Sequence, residues 1–502
     1  MLQLLCYYIR NRLKKGIEDG GIALLHLDPR KGLYPAGTAY AETGRIGYGG
    51  KGERQMENKL EKKYTLWTAI AMVVGIVIGS GIFYKAEAIL QKTQGNMPLG
   101  VLAWVIGAAV MIVCALAFST MAGRYEKVNG LVDYAEATCG KVYAYFVAHF
   151  ATCIYYPAMT SVLAWVSARY TVALYGLALN SAECMVLGAF YLVAIYGLNA
   201  LAPKLAGKFQ IATTVVKLIP LALMAVVGGV VGLANGQLAA NMTHDAVVSS
   251  AGSSSPLFAA VVATAFAYEG WIIATTINAE LKDAKKNLPI ALVMGCGLIA
   301  VVYILYYIGL SGGASNAELL VDPTKPFVNI FGPVCGKIVE VLIVFSCLGT
   351  LNGLMFASVR SSYAIAIRKE GFRPKTLESV DKETNVPANS AVVGLLLCTA
   401  WYVYFYGANL TEGWFGPFNF DSSELPIINI YAFYIPMMLL FMKKATDLKA
   451  GKRFVLPALA ICGSVFMVIA AIVAHGISSF YYLIVFAVIM ALGAIPLLRK
   501  KK

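Results

Sequence analysis

The chain has 502 residues, of which 59% are hydrophobic and only 14% are charged. Such a composition leaves too few polar groups to cover a soluble protein of this length, so it excludes a soluble enzyme and predicts an integral membrane protein. The net charge of +14 requires no nucleic-acid partner, because basic residues beside membrane spans and contact with the lipid bilayer account for it.

The first 55 residues do not share the hydrophobic pattern of the rest. They are rich in Gly, Arg and Tyr, without helical or strand period, and their opening MLQLLCYYI is too short to span a membrane. Met56 then opens MENKLEKKYTLW, which is typical of a cytoplasmic segment before a first span. We predict residues 1–55 to be either a non-native extension from an over-long start or a disordered tail, and residues 56–502 to be one membrane domain.

Twelve apolar runs are long enough to cross a membrane, since a spanning helix needs about 20 apolar residues. The sequence therefore predicts an all-α polytopic membrane protein. Spans 1–5 fall in 66–233, spans 6–10 in 256–442 and spans 11–12 in 454–497. Two halves of five spans must run in opposite directions, so a repeat relating them is inverted. The predicted spans are 66–89, 98–122, 142–172, 184–201, 207–233, 256–279, 289–313, 333–367, 389–407, 425–442, 454–474 and 477–497.

The basic residues predict the orientation of these spans. With the N-terminus in the cytoplasm, most of the 41 Lys and Arg residues lie in cytoplasmic connections, as the positive-inside rule requires. Both termini are then cytoplasmic, and we expect a multi-pass protein of the plasma (inner) membrane. The basic residues that fall on the outer side are Lys85, Lys92, Arg169, Lys325 and Lys337.

Span 1 carries Gly79, Ser80 and Gly81 near its midpoint. Glycine weakens a helix, and a break here would expose N–H groups at the positive end of an outer half-helix, which suits a carboxylate. The alternative is a close helix-packing face, because Gly75 and Gly79 form a GxxxG pair.

Span 6 contains a second interruption, formed by Phe266, Ala267, Tyr268, Glu269, Gly270 and the following Trp271. A break here would expose carbonyl groups at the end of the first half-helix, which suit an ammonium group. Phe266 could then cover the site. Glu269 either contacts the substrate or attaches span 6 to a neighbouring helix, and the second role is favoured. Two opposite helix ends predict a receptor for a zwitterion such as an amino acid.

Three further polar residues lie inside spans. Lys217 is costly in lipid, so it requires protein partners; it could brace the unwound part of span 1, carry a proton or form a structural salt bridge. Tyr303 and Asn352 either face the same cavity or are packing residues. The four histidines show no metal-binding spacing, so no metal site and no cofactor are predicted. Cys184, near the outer connection between spans 3 and 4, is predicted to be a buried free thiol, and the alternative is a disulfide to a partner chain.

Four segments together resemble the L-type amino-acid transporter family, of the amino acid–polyamine–organocation superfamily. They are IGSGIF in span 1, VVKLIP in span 5, FAYEGW with AELKDAKKNLP in span 6, and FSCLGTLNGLMFASVRSSYAIAIRKEGFRP in span 8. The resemblance covers about residues 60–500, and it is greatest to bacterial exchangers of small neutral amino acids.

The resemblance implies a leucine-transporter-like inverted repeat, alternating access by spans 1 and 6, and sodium-independent exchange of small neutral L-amino acids. It places Gly79, Ser80 and Gly81 at the substrate carboxylate and the carbonyls of 266–269 at the amine. It also implies that Lys217 occupies the place of a sodium ion, with Tyr303 bridging toward the glycines of span 1. Glu269 departs from many relatives, which have glycine, alanine or aspartate there.

The sequence leaves several functional alternatives open. They are a proton-coupled symporter, an exchanger that accepts cationic amino acids, and a receptor that binds amino acid without moving it. A membrane enzyme is not expected, because no nucleophile–base or metal constellation is present. No obligatory protein partner is predicted.

Overall fold

A computed structural model of the chain describes residues 65–125, 130–179, 181–243, 255–273, 275, 281–411 and 413–499. The predicted extension 1–55 lies outside these ranges. All the described residues belong to one compact unit, Leu60–Lys502.

The described ranges are helical and contain no strand. Eleven of their helices are long and apolar enough to cross a membrane, and a bent pair of helices makes up a twelfth span. The spans are 1a and 1b, Leu66–Val77 and Ser80–Lys92; 2, Met97–Arg124; 3, Lys141–Leu174; 4, Ala182–Leu201; 5, Pro203–Ala234; 6, Pro256–Ile273; 7, Ala284–Gly313; 8, Lys325–Ala366; 9, Ala388–Asn409; 10, Leu425–Lys444; 11, Gly451–His475; and 12, Ile477–Arg499.

Short helices complete the connections: Leu131–Cys139, Gln237–Asn241, Asn316–Val321, Pro374–Leu377 and a 3₁₀ turn, Gly416–Phe418. We call the end of the bundle at which span 1 begins the inner face and the opposite end the outer face, following the orientation predicted from charge.

Span 1 is broken where its sequence predicts. The two halves meet at 48°, and the connecting Gly79 has extended backbone angles, φ −157° and ψ −155°, that any residue can adopt. Glycine is needed here for space, because a Cβ at Gly79 would lie 2.6 Å from Oγ1 of Thr350 in span 8. The close approach of spans 1 and 8 therefore requires glycine at the break.

Span 6 is also broken. Its first helix, Pro256–Tyr268, ends before Glu269, and Gly270 has a φ of 107°, which favours glycine. One 3₁₀ turn follows at residues 271–273. The rest of the predicted span 256–279 lies outside the described residues, apart from residue 275.

Four spans contain irregularities that the sequence analysis did not predict. Spans 3, 5 and 11 each include a π-helical segment; these are Ala151–Tyr155, Met224–Gly228 and Gly451–Val455. Span 8 begins at Lys325 instead of residue 333 and bends at Gly332, which has a φ of 77°. Pro333 follows and lacks the N–H that a continuous helix would use.

Spans 5 and 7 touch backbone to backbone. A Cβ at Gly309 would lie 2.1 Å from the carbonyl oxygen of Met224, and one at Gly312 would lie 2.1 Å from that of Gly228. Such small-residue contacts are a common way for membrane helices to pack closely, because lipid offers no hydrophobic driving force between helices. The contact fixes the relative position of the helices that carry Lys217 and Tyr303.

Candidate substrate-binding site

A cavity of about 800 Å³ lies at the two breaks and extends along span 1a as far as Thr68, toward the inner face. Its volume lies within the range of ligand pockets, about 300–1,000 Å³. Most of the predicted site residues border it. These are Gly79, Ser80, Gly81, Lys217, Phe266, Glu269, Gly270 and Asn352.

The end of span 1a is held by two side chains. The Lys217 ammonium group donates a hydrogen bond to the carbonyl oxygen of Gly75, and the Tyr303 hydroxyl donates to that of Val77 at 3.0 Å. The last carbonyls of a helix have no partner within the helix, and the negative end of the helix dipole favours a cation. Lys217 and Tyr303 therefore stabilise the broken end of span 1a.

The start of span 1b presents its positive end to the cavity. The N–H of Ser80 donates to Oγ1 of Thr350 at 3.2 Å. The Ser80 hydroxyl is buried and has no hydrogen-bond partner among the described residues. A free hydroxyl beside a helix N-terminus forms a suitable place for a carboxylate.

The end of the first helix of span 6 lies against span 1b. A Cβ at Gly81 would lie 2.8 Å from Cα of Ala267 and 3.3 Å from the carbonyl oxygen of Phe266. The Phe266 ring lies in edge contact with Tyr84, 6.0 Å between centroids. The carbonyl end of one half-helix and the N–H end of another are thus adjacent at the head of the cavity.

Three predicted site residues do not border the cavity: Ala267, Tyr268 and Tyr303. Tyr268 donates to the carbonyl oxygen of Trp104 at 3.1 Å and stacks on Tyr303 with 5.4 Å between centroids. The side chain of Tyr268 therefore belongs to an aromatic cluster with spans 2 and 7.

Glu269 combines the two roles considered from sequence. It borders the cavity, and its Oε1 accepts a hydrogen bond of 3.3 Å from Tyr155 of span 3. Within the described residues no cationic group lies within 4.0 Å of its carboxylate.

Asn352 joins three helices at the wall of the cavity. Its Oδ1 accepts from Asn199 of span 4 at 2.8 Å, and its Nδ2 donates to Gln210 of span 5 at 2.9 Å and to the carbonyl oxygen of Ala206 at 3.2 Å. Its amide groups are engaged in holding spans 4, 5 and 8 together.

The outer side of the breaks is closed by buried charges. Lys85 of span 1b is 1% exposed and contacts Glu424, just before span 10, at 2.7 Å. Lys92 reaches the same carboxylate at 2.7 Å, and Nε2 of His475 in span 11 lies 3.1 Å from it. Burial alone would raise the pKa of the Glu424 carboxyl, but Lys85 and Lys92 hold that pKa well below its usual value.

A second buried ion pair lies on the same side. Arg169 of span 3 contacts Glu87 of span 1b at 2.7 Å, and both side chains are largely buried. Lys85 also lies 5.2 Å from the centre of the Phe266 ring. Spans 1b, 3 and 10 are therefore joined above the breaks, while the cavity extends below them toward the inner face.

Thr350 and Tyr155 are site residues that the sequence analysis missed. Thr350 lies in the quoted segment FSCLGTLNG, where hydroxyl and glycine residues interrupt an apolar run. That pattern indicates a polar helix face, but not the partner, which lies 270 positions earlier in the chain. Tyr155 lies in an apolar aromatic stretch that gives no such signal.

The arrangement defines a class of protein. The described residues form twelve spans, two of them broken, and opposite half-helix ends meet at the head of a cavity. These features define a secondary transporter with the leucine-transporter fold. Residues 64–494 match the family profile described as amino acid permease, and the chain belongs to that family. It is a transporter and not an enzyme, and the predicted all-α architecture is confirmed.

Individual relatives agree with this assignment. The serine/threonine exchanger SteT of Bacillus subtilis (strain 168) is 28% identical over 423 residues, which are 82% of this chain and 91% of that protein. The human b(0,+)-type amino acid transporter 1 is 24% identical over 434 residues, 85% of this chain and 86% of that protein. The crystal structure of MhsT in complex with L-phenylalanine aligns with a TM-score of 0.52 at 15% identity, covering 85% of this chain and 99% of MhsT, and shows the shared fold.

Proposed function

We propose that this chain exchanges small neutral L-amino acids across the cell membrane by alternating access, without sodium. The observation that carries the proposal is the meeting of the span 1b N-terminus and the end of the first span 6 helix at the head of the cavity. Opposite helix ends match the opposite charges of an amino acid. Membership of the amino acid permease family and the exchanger among the relatives support the same conclusion.

In this proposal the substrate carboxylate binds at Gly79, Ser80 and Gly81, where the Ser80 hydroxyl is a free donor. The ammonium group binds the carbonyls of residues 266–269, and the Phe266 ring separates the site from the outer face. Gly270 permits the turn that exposes those carbonyls.

Sodium independence follows from Lys217 in the same proposal. Its ammonium group lies beside the unwound part of span 1 and already occupies the Gly75 carbonyl. A sodium ion at that position would meet a like charge, so it is not expected to bind. The alternative, a proton-coupled symporter, requires Lys217 to lose its proton during transport.

A second candidate function is exchange that includes cationic amino acids. It is favoured by Glu269, whose carboxylate borders the cavity with Tyr155 as its hydrogen-bond donor and with no described cation within 4.0 Å. A lysine or ornithine side chain could provide the missing positive charge.

The test is uptake of radiolabelled serine, alanine and lysine into proteoliposomes of the purified chain. We expect serine and alanine uptake only when unlabelled amino acid is inside, unchanged when choline replaces sodium. Uptake that ignores internal amino acid and follows a pH gradient would contradict exchange and favour the symporter.

Two variants separate the substrate alternatives. Glu269→Gln should leave alanine exchange within about 2-fold, since the amide can still accept from Tyr155. If wild-type protein also carries lysine, the same variant should lose lysine exchange selectively, by about 10-fold or more for a lost charged hydrogen bond. Ser80→Ala should weaken both substrates together.

We further propose that the inner face is cytoplasmic, with both termini there, in the plasma (inner) membrane. No obligatory protein partner is proposed, and Cys184 is buried in this chain. Activity of the purified chain alone in proteoliposomes, with a protease-accessible N-terminal tag to report its orientation, would test both points.

A further inference from the structure

One guanidinium on the wall of the cavity, that of Arg360, has no carboxylate partner in the part of the chain that the structure describes. Arg360 of span 8 is half-buried and borders the cavity. Its guanidinium lies over the Phe356 ring, 3.7 Å from the centre, and Nη1 donates a long 3.4 Å bond to the Phe356 carbonyl oxygen. One edge of the guanidinium is therefore held by Phe356, and its remaining N–H donors are unassigned.

Two other arginines near the inner face are paired with carboxylates. Arg368 contacts Asp133 at 2.6 Å and Glu136 at 3.2 Å, and Arg124 contacts Asp447. Arg360 differs from both in facing the cavity. A half-buried guanidinium in a largely apolar cavity attracts anions, because the low-dielectric walls focus its field.

Arg360 is too far from the breaks to touch a substrate bound there. It lies ten residues along span 8 from Thr350, which bonds Ser80, and this spacing corresponds to roughly 15 Å of helix. A group held by Arg360 is therefore in the inner part of the cavity and separate from the zwitterion site.

We infer that Arg360, held by Phe356, forms a second carboxylate-binding site, at which an amino acid waits on its way between the inner face and the breaks. The guanidinium binds the α-carboxylate through the N–H donors for which the described residues provide no acceptor, and the Phe356 ring fixes the plane of the fork. This inference rests on the proposed amino-acid exchange and adds a subsite to it.

The consequence is an asymmetry between the two sides of the membrane. Substrate arriving from the inner face meets Arg360 first, whereas substrate from the outer face does not. Loss of Arg360 should therefore raise the apparent KM for inner substrate and leave the outer apparent KM unchanged.

The experiment compares Arg360→Gln with Arg453→Gln in proteoliposomes of neutral phosphatidylcholine. Arg453 is a matched control: it also lies over an aromatic ring, Phe454 at 4.6 Å, and donates to a backbone carbonyl, that of Met442 at 2.9 Å, but it does not border the cavity. Orientation is determined from protease removal of an N-terminal tag, and unlabelled alanine is varied on each side.

For Arg360→Gln we expect a rise of about 10-fold in the inner apparent KM, with the outer value within about 2-fold. The wild-type inner KM should also rise with ionic strength, more than that of the variant. Arg453→Gln should behave as wild type. Equal inner KM values for Arg360→Gln and wild type, or equal effects of the two variants, would overturn the inference.

A further variant and a change of lipid distinguish the remaining explanations. Arg360→Lys retains the charge and should keep most of the salt dependence, so it serves if the glutamine variant folds poorly. An effect of Arg360→Gln that is seen only in vesicles with phosphatidylglycerol would assign the site to a lipid headgroup and overturn the amino-acid assignment. Failure of wild-type exchange would instead contradict the proposed function itself.

Discussion

The two halves of span 1 are held in opposite ways. Span 1b buries Lys85 and Glu87, which pair with Glu424 and Arg169 on other helices. Span 1a borders the cavity, and the bonds that hold its broken end are those of Lys217 and Tyr303 to its last carbonyls. The outer half is attached by charges along its length, whereas the inner half is attached at the joint.

This difference indicates what each direction of opening requires. Opening the outer side must separate buried charges, which is costly because each is left without its partner. Span 1a can change its inclination about the joint while Lys217 and Tyr303 stay in place. A ligand shifts a conformational equilibrium only by binding one state more tightly than the other. Substrate at the breaks therefore favours the outward-open state only if its contacts are stronger in that state.

The largest expected effect is that of Glu424→Gln, which removes the charge at the centre of the outer closure. Lys85 would stay buried without a counter-ion, at a cost of about 3–5 kcal/mol. We expect a large fall in the free energy of unfolding in detergent. In a Ser80→Cys background, Glu424→Gln should also make the new thiol react faster with a membrane-impermeant reagent added at the outer face.

Asp447→Asn is the control for that variant, because the Arg124–Asp447 pair is exposed, 28% and 61%, and such pairs contribute at most about 1 kcal/mol.

The pH dependence of the outer closure gives a second check. The pKa of Glu424 is lower in the folded protein than in the unfolded chain. Its full contribution to stability is therefore present above the unfolded-state pKa and is lost only as the pH falls through the folded-state pKa. Wild-type outer closure should therefore persist at pH 5, and early loss there would contradict the assignment.

Lys217→Ala tests the inner attachment. A hydrogen bond from a charged donor contributes about 1.5–3 kcal/mol, so exchange should fall about 10- to 100-fold. Folding should change less, because the variant also removes the cost of burying an ammonium group. Lys208→Ala, exposed on the same span, should exchange normally. Wild-type exchange by a well-folded Lys217→Ala protein would exclude Lys217 from the mechanism.

Gly79→Ala tests the joint itself. The new Cβ would lie 2.6 Å from Oγ1 and 3.0 Å from Cγ2 of Thr350, and such overpacking costs about 1–3 kcal/mol. We expect reduced exchange and partial recovery in the double variant with Thr350→Ala. Gly197→Ala, which has open space around its Cβ, should be neutral. Failure of the double variant to recover would show that the lost contact of Ser80 with Thr350 matters more than the clash.

The smallest effect is expected at the outer rim, where Ser315 and Glu318 form a capping box on the helix Asn316–Val321. Ser315→Ala should cost about 1 kcal/mol of local stability. Hydrogen exchange in this helix should accelerate, while amino-acid exchange stays within about 2-fold of wild type. A larger transport defect would mean that the rim takes part in outer closure.

The breaks in spans 1 and 6 could be predicted because glycine and polar residues stand out in apolar runs. Gly79 and Gly270 lie at the breaks that their positions predict. The outer closure could not be predicted, because Lys85 and Glu424 are 339 positions apart. From sequence alone Lys85 counts as one more basic residue on the outer side, whereas the structure buries its side chain against Glu424.

The directions of neighbouring side chains also could not be predicted from the sequence. Tyr268 and Glu269 are adjacent, yet Tyr268 packs among aromatic rings while Glu269 borders the cavity. The helix ends between them, so helical periodicity no longer relates their directions. The π segment Ala151–Tyr155 likewise has no glycine or proline within it to indicate the extra residue.

The backbone contact between spans 5 and 7 has a consequence for how the gene tolerates change. Any mutation that replaces a glycine with another residue adds a side chain. At Gly309 and Gly312 the new Cβ would lie 2.1 Å from a carbonyl oxygen. A glycine on the protein surface would tolerate the same replacement. In a randomly mutated library selected for growth on imported amino acid, these two codons should therefore be among the first to lose all variation.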